Sequence, residues 1–185
     1  VRTPDQFGDF CYARIGLLYD DEALYVGGEV ADPYPLRNPL AFDGDMRKSW
    51  ESDALQLHLQ TVSDKSGKES QINDIRLWYS TPERAPGCCI LSGIETTKAR
   101  VNPDGVQGAY CERPDGKGYT FTWRLPWAAL NSTRAPCAGE RLTACVQCHW
   151  GTEDGRGFLC GGVEVRSDNA PEVYVAASWG QAVFM

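Results

Sequence analysis

Apolar residues in this chain recur with a period of two rather than 3.6, and that periodicity restricts the fold more than any other feature. No stretch longer than about ten residues holds a helical apolar repeat. Short alternating runs recur instead, separated by Gly, Pro, Asn and Asp. In Asp53–Thr61, Leu55, Leu57 and Leu59 point one way, while Ala54, Gln56, His58 and Gln60 point the other, as successive side chains on a strand must. Ile72–Ser80 repeats the pattern, with Ile75, Leu77 and Tyr79 inward and Asp74, Arg76 and Trp78 outward. Lys117–Leu125 lines up Tyr119, Phe121, Trp123 and Leu125 on one aromatic face. Leu24, Val26, Gly28 and Val30 share a face of Ala23–Ala31, which a turn at Asp20-Asp21-Glu22 joins to Cys11–Tyr19. Cys88–Leu91, Lys98–Val101, Val106–Glu112, Val173–Ala177 and Gly180–Phe184 are further expected strands, and Arg141–Trp150 with Arg156–Val163 reads as a hairpin. Pro126–Leu130 suits one helical turn, because proline is tolerated at a helix's first position. Asp32 to Trp50 carries no strand pattern and is expected to be a long connection. Many short, turn-bounded strands predict an all-β, antiparallel β-sandwich.

Composition narrows the function classes. At 185 residues with no internal repeat or linker, residues 1–185 are expected to form one domain. A hydrophobic share of 42% supplies one core. The net charge of −7, with no Lys/Arg cluster, sets nucleic-acid binding aside. No apolar run reaches the ~20 residues of a membrane helix. No leader pattern opens the chain at Val1, so it is expected to be a mature or trimmed chain, or a module beside other domains of one polypeptide. Eight cysteines, an even count in a β-rich chain, point to an oxidising, secreted or extracytoplasmic setting with some disulfides. In the Arg141–Val163 hairpin Cys148 is expected opposite Cys160, within reach of a bridge.

Five segments in order carry a family likeness: Tyr19–Val26 (YDDEALYV), Glu29–Asp32 (EVAD), Trp50–Leu57 (WESDALQL), Tyr119–Trp127 (YTFTWRLPW) and Trp179-Gly180. Together they resemble the family 9 carbohydrate-binding modules and their DOMON-like relatives. The resemblance implies a jelly-roll-like sandwich, often with a structural calcium, that binds oligo- or polysaccharide ends between two Trp side chains. Carried onto this sequence, it implies Trp50 as one Trp and Trp179 or Trp78 as the other. Arg76 matches the family's arginine and Gln147 a later amide. Gln56 stands where the family has a glutamate. For calcium, Asp32 and Glu29 are the candidate ligands.

Read without the family, alternation puts Gln56, His58, Arg76, Trp78, Gln147 and His149 on one sheet face. Planar amides, a guanidinium and an indole are the groups that match vicinal hydroxyls and the C–H face of a sugar ring. A wet sheet face would be polar without any ligand, so a purely structural or interaction module is the plain alternative. Cys145-Val146-Gln147-Cys148-His149 also matches the C-x-x-C-H attachment motif of haem c. On a strand its two cysteines point to opposite faces, against that reading. Two histidines and the absence of nucleophile-elbow, phosphate-loop or zinc-protease motifs leave no catalytic constellation. The expectation is a non-catalytic module.

Overall fold

The structure is a computed structural model and describes residues 11–60, 72–92, 99–130, 134–155, 158–162 and 180–183. Each alternating run within them is a strand. In chain order these are β1 (Tyr12–Tyr19), β2 (Ala23–Ala31), β3 (Ala54–Gln60), β4 (Ile72–Ser80), β5 (Ala85–Ser92), β6 (Ala99–Val101), β7 (Gln107–Glu112), β8 (Gly118–Pro126), β9 (Arg141–Gly151), β10 (Phe158–Gly162) and β11 (Gly180–Val183). The turn expected after Pro126 is the 3-10 helix Trp127–Leu130. The strands expected over Val173–Ala177 lie outside the described residues.

Two antiparallel sheets form. One is ordered β1-β2-β8-β7, the other β10-β9-β3-β4-β5-β6, with β11 paired to β9 beyond β10. Their inner faces are the apolar sets that alternation predicts. Leu55, Leu57, Leu59, Ile75, Leu77 and Ile90 face Val26, Val30, Tyr119, Phe121, Trp123 and Leu125 in one continuous core. A polar tie crosses it: Trp150 Nε1 donates to the Ala31 carbonyl at 2.9 Å, joining β9 to the end of β2. Sandwiches of this kind bury alternate residues from both sheets, and that burial is the main favourable term in folding.

The Asp32–Trp50 connection is more ordered than its composition implies. It is pinned by side chains of its own and of the strands it borders. Asn38 Nδ2 donates to the Ser49 and Asp53 carbonyls at 2.8 and 3.0 Å, and Asn38 bridges Ser80 in parallel. The connection closes in the 3-10 helix Met46–Glu51, capped by the Asp45 side chain. Phe42 and Leu40 lie against Trp78, forming with Met46, Ala54, Cys89 and Leu91 a second small core on the outer face of the larger sheet. Gly87 makes room for it, since a β-carbon there would come within 2.5 Å of the Trp78 ring.

At the other end of that connection, Asp32 and Asp53 are both buried and act on each other electrostatically. Asp32 Oδ1 accepts from Tyr34 N at 2.8 Å, and Asp53 accepts from the backbone of Arg37 at 2.6 Å and of Gly151. Burial, then the charge of Asp32, pushes the Asp53 carboxyl up to about 8.

The hairpin register differs from expectation by one residue. It closes Gly151 on Phe158, so Cys148 faces Gly161 and Cys160 faces His149. The loop 152–157 holds an even number of residues, which moves the expected cysteine pair out of alignment. Cys148 itself is fully buried in the inter-sheet core.

Leu57 is fully buried at the centre of that core. Leu57→Ala should therefore cost about 2–5 kcal/mol in a urea unfolding series, whereas Leu18→Ala, at a side chain 75% exposed, should change stability by less than ~0.5 kcal/mol. Equal losses at the two positions would contradict the assignment of the core.

Candidate functional site

Adjacent strands bring the predicted polar residues into two rows across the outer face of the larger sheet. The first row runs Gln147, Gln56, Arg76, Cys89, and the second Cys145, His58, Asp74, Leu91. His149 lies beyond Gln147 on β9, beside Ala54. The face is polar, as alternation predicts, but most of it is covered. Gln56 and His58 are buried, and Trp78 is fully buried beneath Phe42, with its Nε1 donating to the Leu40 carbonyl at 3.2 Å. Trp78 is thus a core residue of the outer face and presents no ring to a ligand. The expectation failed because it had no cover for the sheet, and the Asp32–Trp50 connection supplies one.

Asp74, to which the sequence assigns no role, is the hub. Gln56 Nε2 donates to its Oδ1 at 3.0 Å, and Arg76 Nη2 to its Oδ2 at 2.8 Å. His58 Nε2 lies 3.2 Å from Oδ1. Burial pushes this carboxyl up, but hydrogen bonds from His58 and Arg76 and the Arg76 charge outweigh it, holding Asp74 well below the ordinary carboxylate range. His58 is therefore a buried partner of Asp74 rather than a surface group. Arg76 reaches past Asp74 to the carbonyls of Met46 and Arg47 at 3.1 and 2.9 Å.

Trp50 belongs to the helix so held and is half-buried, its ring 6.3 Å from the His149 ring at a tilt of 52°. Gln147 is also half-buried. Burial, then the charge of Arg76, pulls His149 down to about 4, so it is neutral at physiological pH. The less covered part of the face thus holds a half-buried indole and a half-buried amide, with the indole against the buried His149 imidazole. Trp179 lies outside the described residues.

The remaining candidates are not brought together. Glu29 is on the outer face of the smaller sheet, paired with Arg14 at 3.0 Å, while Asp32 is buried at the end of β2 with Asp53. Among the described residues no three His, Cys, Asp or Glu side chains converge on a metal position. The C-x-x-C-H motif lies in β9, where Cys145 pairs across from His58 on the outer face and Cys148 sits in the inter-sheet core. One porphyrin cannot take both thiols from opposite sides of a sheet, so these residues do not fit covalent haem. A trough of about 830 Å³ does lie on the smaller sheet, between Leu18, Tyr25, Gly27 and Trp123. It contains none of the predicted residues.

No family model and no curated protein matches the sequence. Solved structures do. A family 9 carbohydrate-binding module (CBM9) from Caldicellulosiruptor kristjanssonii, in complex with glucose, superposes with a TM-score of 0.57 at 16% identity, covering 95% of this chain and 77% of that one. The same description with cellotriose gives 0.57 at 16%, over 94% and 75%. A candidate carbohydrate-binding protein from Bacteroides uniformis gives 0.63 at 8%, over 100% and 84%. The chain has a CBM9-like β-sandwich fold. No described helix is long and apolar enough to cross a membrane.

Two buried groups set opposing pH slopes. Asp53 holds its proton up to about 8, against 3.8 for the unfolded side chain, so its contribution is lost as pH rises through that window. His149 falls from 6.5 to about 4, so its contribution is lost as pH drops from 6.5 toward 4. The two slopes oppose each other below about pH 6.5, and above it stability falls toward about pH 8. Urea melts across this range should show that decline above pH 6.5. Asp53→Asn should abolish the decline. A stability that climbs between pH 6.5 and 8 would contradict the assignment.

Proposed function

We propose that this domain is a non-catalytic carbohydrate-binding module that takes a neutral saccharide against Trp50. The observation that carries the reading is an indole fixed at the edge of a sheet face whose charges cancel internally. Asp74 and Arg76 neutralise each other, His149 is neutral, and Gln56 and Gln147 are amides that pair across β3 and β9. Stacking on an aromatic ring and hydrogen bonds from planar amides suit hydroxyl-rich, uncharged rings. The fold likeness supports the same class, because two of the superposed modules hold glucose and cellotriose.

The contact set in this reading is Trp50 and Gln147, with Trp179 as the candidate for the second ring. Gln56, Trp78 and His58 leave the set because they are buried. A secreted or extracytoplasmic setting and attachment to other domains of one polypeptide fit a binding module. The absence of a catalytic constellation in the sequence agrees with a role in recognition rather than turnover.

Calorimetric titration with glucose, cellotriose and a uronic-acid oligomer tests this. Binding of a neutral sugar is expected, weakened about tenfold or more by Trp50→Ala and by a smaller factor in Gln147→Ala. Absence of binding to neutral sugars, or equal affinity in wild type and Trp50→Ala, overturns the proposal.

A further inference from the structure

Arg76 resembles a sugar-contacting arginine in position, but its donors are already spent. Nε donates to both Asp74 oxygens, at 3.3 and 3.2 Å. Nη2 adds a bond to Asp74 Oδ2 at 2.8 Å. Nη1 commits its hydrogens to the carbonyls of Met46 and Arg47. A guanidinium carries a fixed fork of N–H groups, so a single Nη2 hydrogen remains, on a side chain only 12% exposed. Its acceptors fall in two groups. One is the buried Asp74, on the same strand two residues away. The other is the first turn of the 3-10 helix Met46–Glu51, the element that carries Trp50.

We infer that Arg76 is a positioning residue. It fastens the Met46–Glu51 helix to the sheet and so holds the Trp50 ring over the outer face, instead of contacting the saccharide itself. This rests on the saccharide reading of Trp50, and it adds how that ring is fixed. A helix of six residues has too few internal hydrogen bonds to hold its own orientation. Besides Arg76, the helix is tied down by Asn38 Nδ2 on the Ser49 carbonyl and by burial of the Met46 side chain. Of these, only Arg76 ties the helix to a charged group of the sheet. Asp74 anchors the guanidinium from below, and Gln56 and His58 fix Asp74 in turn. A lysine at position 76 would keep a positive charge for Asp74. Its compact ammonium lacks the planar fork that reaches the carboxylate and two carbonyls at once.

The test uses the whole domain labelled with 5-fluorotryptophan, the Trp50 fluorine resonance being assigned from its loss in Trp50→Phe. In Arg76→Lys that resonance should shift and broaden while those of Trp123, Trp127 and Trp150 stay in place. Paramagnetic or iodide access to Trp50 should rise, and affinity for cellotriose should fall about tenfold. In the Trp50→Phe background, Arg76→Lys should lose much less further affinity than it does in the wild type, because the two side chains act through one contact. The double variant Asp74→Asn/Arg76→Gln removes both buried charges together and serves if Arg76→Lys does not fold; the same movement of Trp50 is expected. A Trp50 resonance and accessibility unchanged in the folded variant overturns the inference, as does an affinity loss that persists in full without Trp50, which would mark Arg76 as a direct contact. Failure of the wild type to bind any neutral sugar would sink the functional reading alone, since the fluorine signal decides the positioning role without a ligand.

Discussion

Asp74 is a carboxylate drawn into a sheet face and kept ionised there. A buried carboxylate is tolerated only with charge and hydrogen-bond compensation, and here Arg76, Gln56 and His58 all converge on it. The consequence reaches beyond the pair. Because Arg76 stands two residues along the same strand, its far side remains available to the carbonyls of Met46 and Arg47. The ion pair is therefore also the fastening of the connection that covers the outer sheet. Through that connection it governs which polar groups stay dry and where Trp50 stands. Breaking either partner leaves the other as an uncompensated charge, so the network holds or fails as a unit.

The second acidic cluster solves the same problem differently. Asp32 and Asp53 have backbone N–H donors, and among the described residues no cation pairs with them as Arg76 does with Asp74. Burial, then the charge of Asp32, pushes the Asp53 carboxyl up. Both acids sit at the ends of strands, one closing β2 and one preceding β3, and between them they set where the long connection leaves and rejoins the sandwich. Charge compensation at Asp74 and proton retention at Asp53 thus bracket the same piece of chain. The inter-sheet core beneath is apolar and asks for neither.

Much of the architecture was legible from alternation. Leu55, Leu57 and Leu59 face inward, and Tyr119, Phe121, Trp123 and Leu125 form an aromatic inner face. Cys145 and Cys148 part to opposite sides of β9. Gln56, Arg76 and Gln147 do share one row. What alternation could not supply was accessibility. Trp78 points outward as expected and is nonetheless fully buried, because outward from a sheet is toward solvent only where nothing lies on top. Asp74 was on the expected face too, yet nothing local distinguishes a solvated aspartate from the hub of a network. The one-residue slip at Cys160 has the same origin, since loop length is read only once both strand ends are located.

The sequence by itself determined the period of two, hence strands, hence two amphipathic sheets with a defined inner face; that follows from local stereochemistry, which acts between neighbours along the chain. The tertiary structure alone decided that most of the polar face would be covered, that Asp74 would be held low by Arg76 while burial pushes Asp53 up, and that Trp50 would stand half-buried beside His149. Those outcomes depend on groups separated by tens of residues, Met46 with Arg76 and Asp32 with Asp53, whose energies exist only once the chain brings them together.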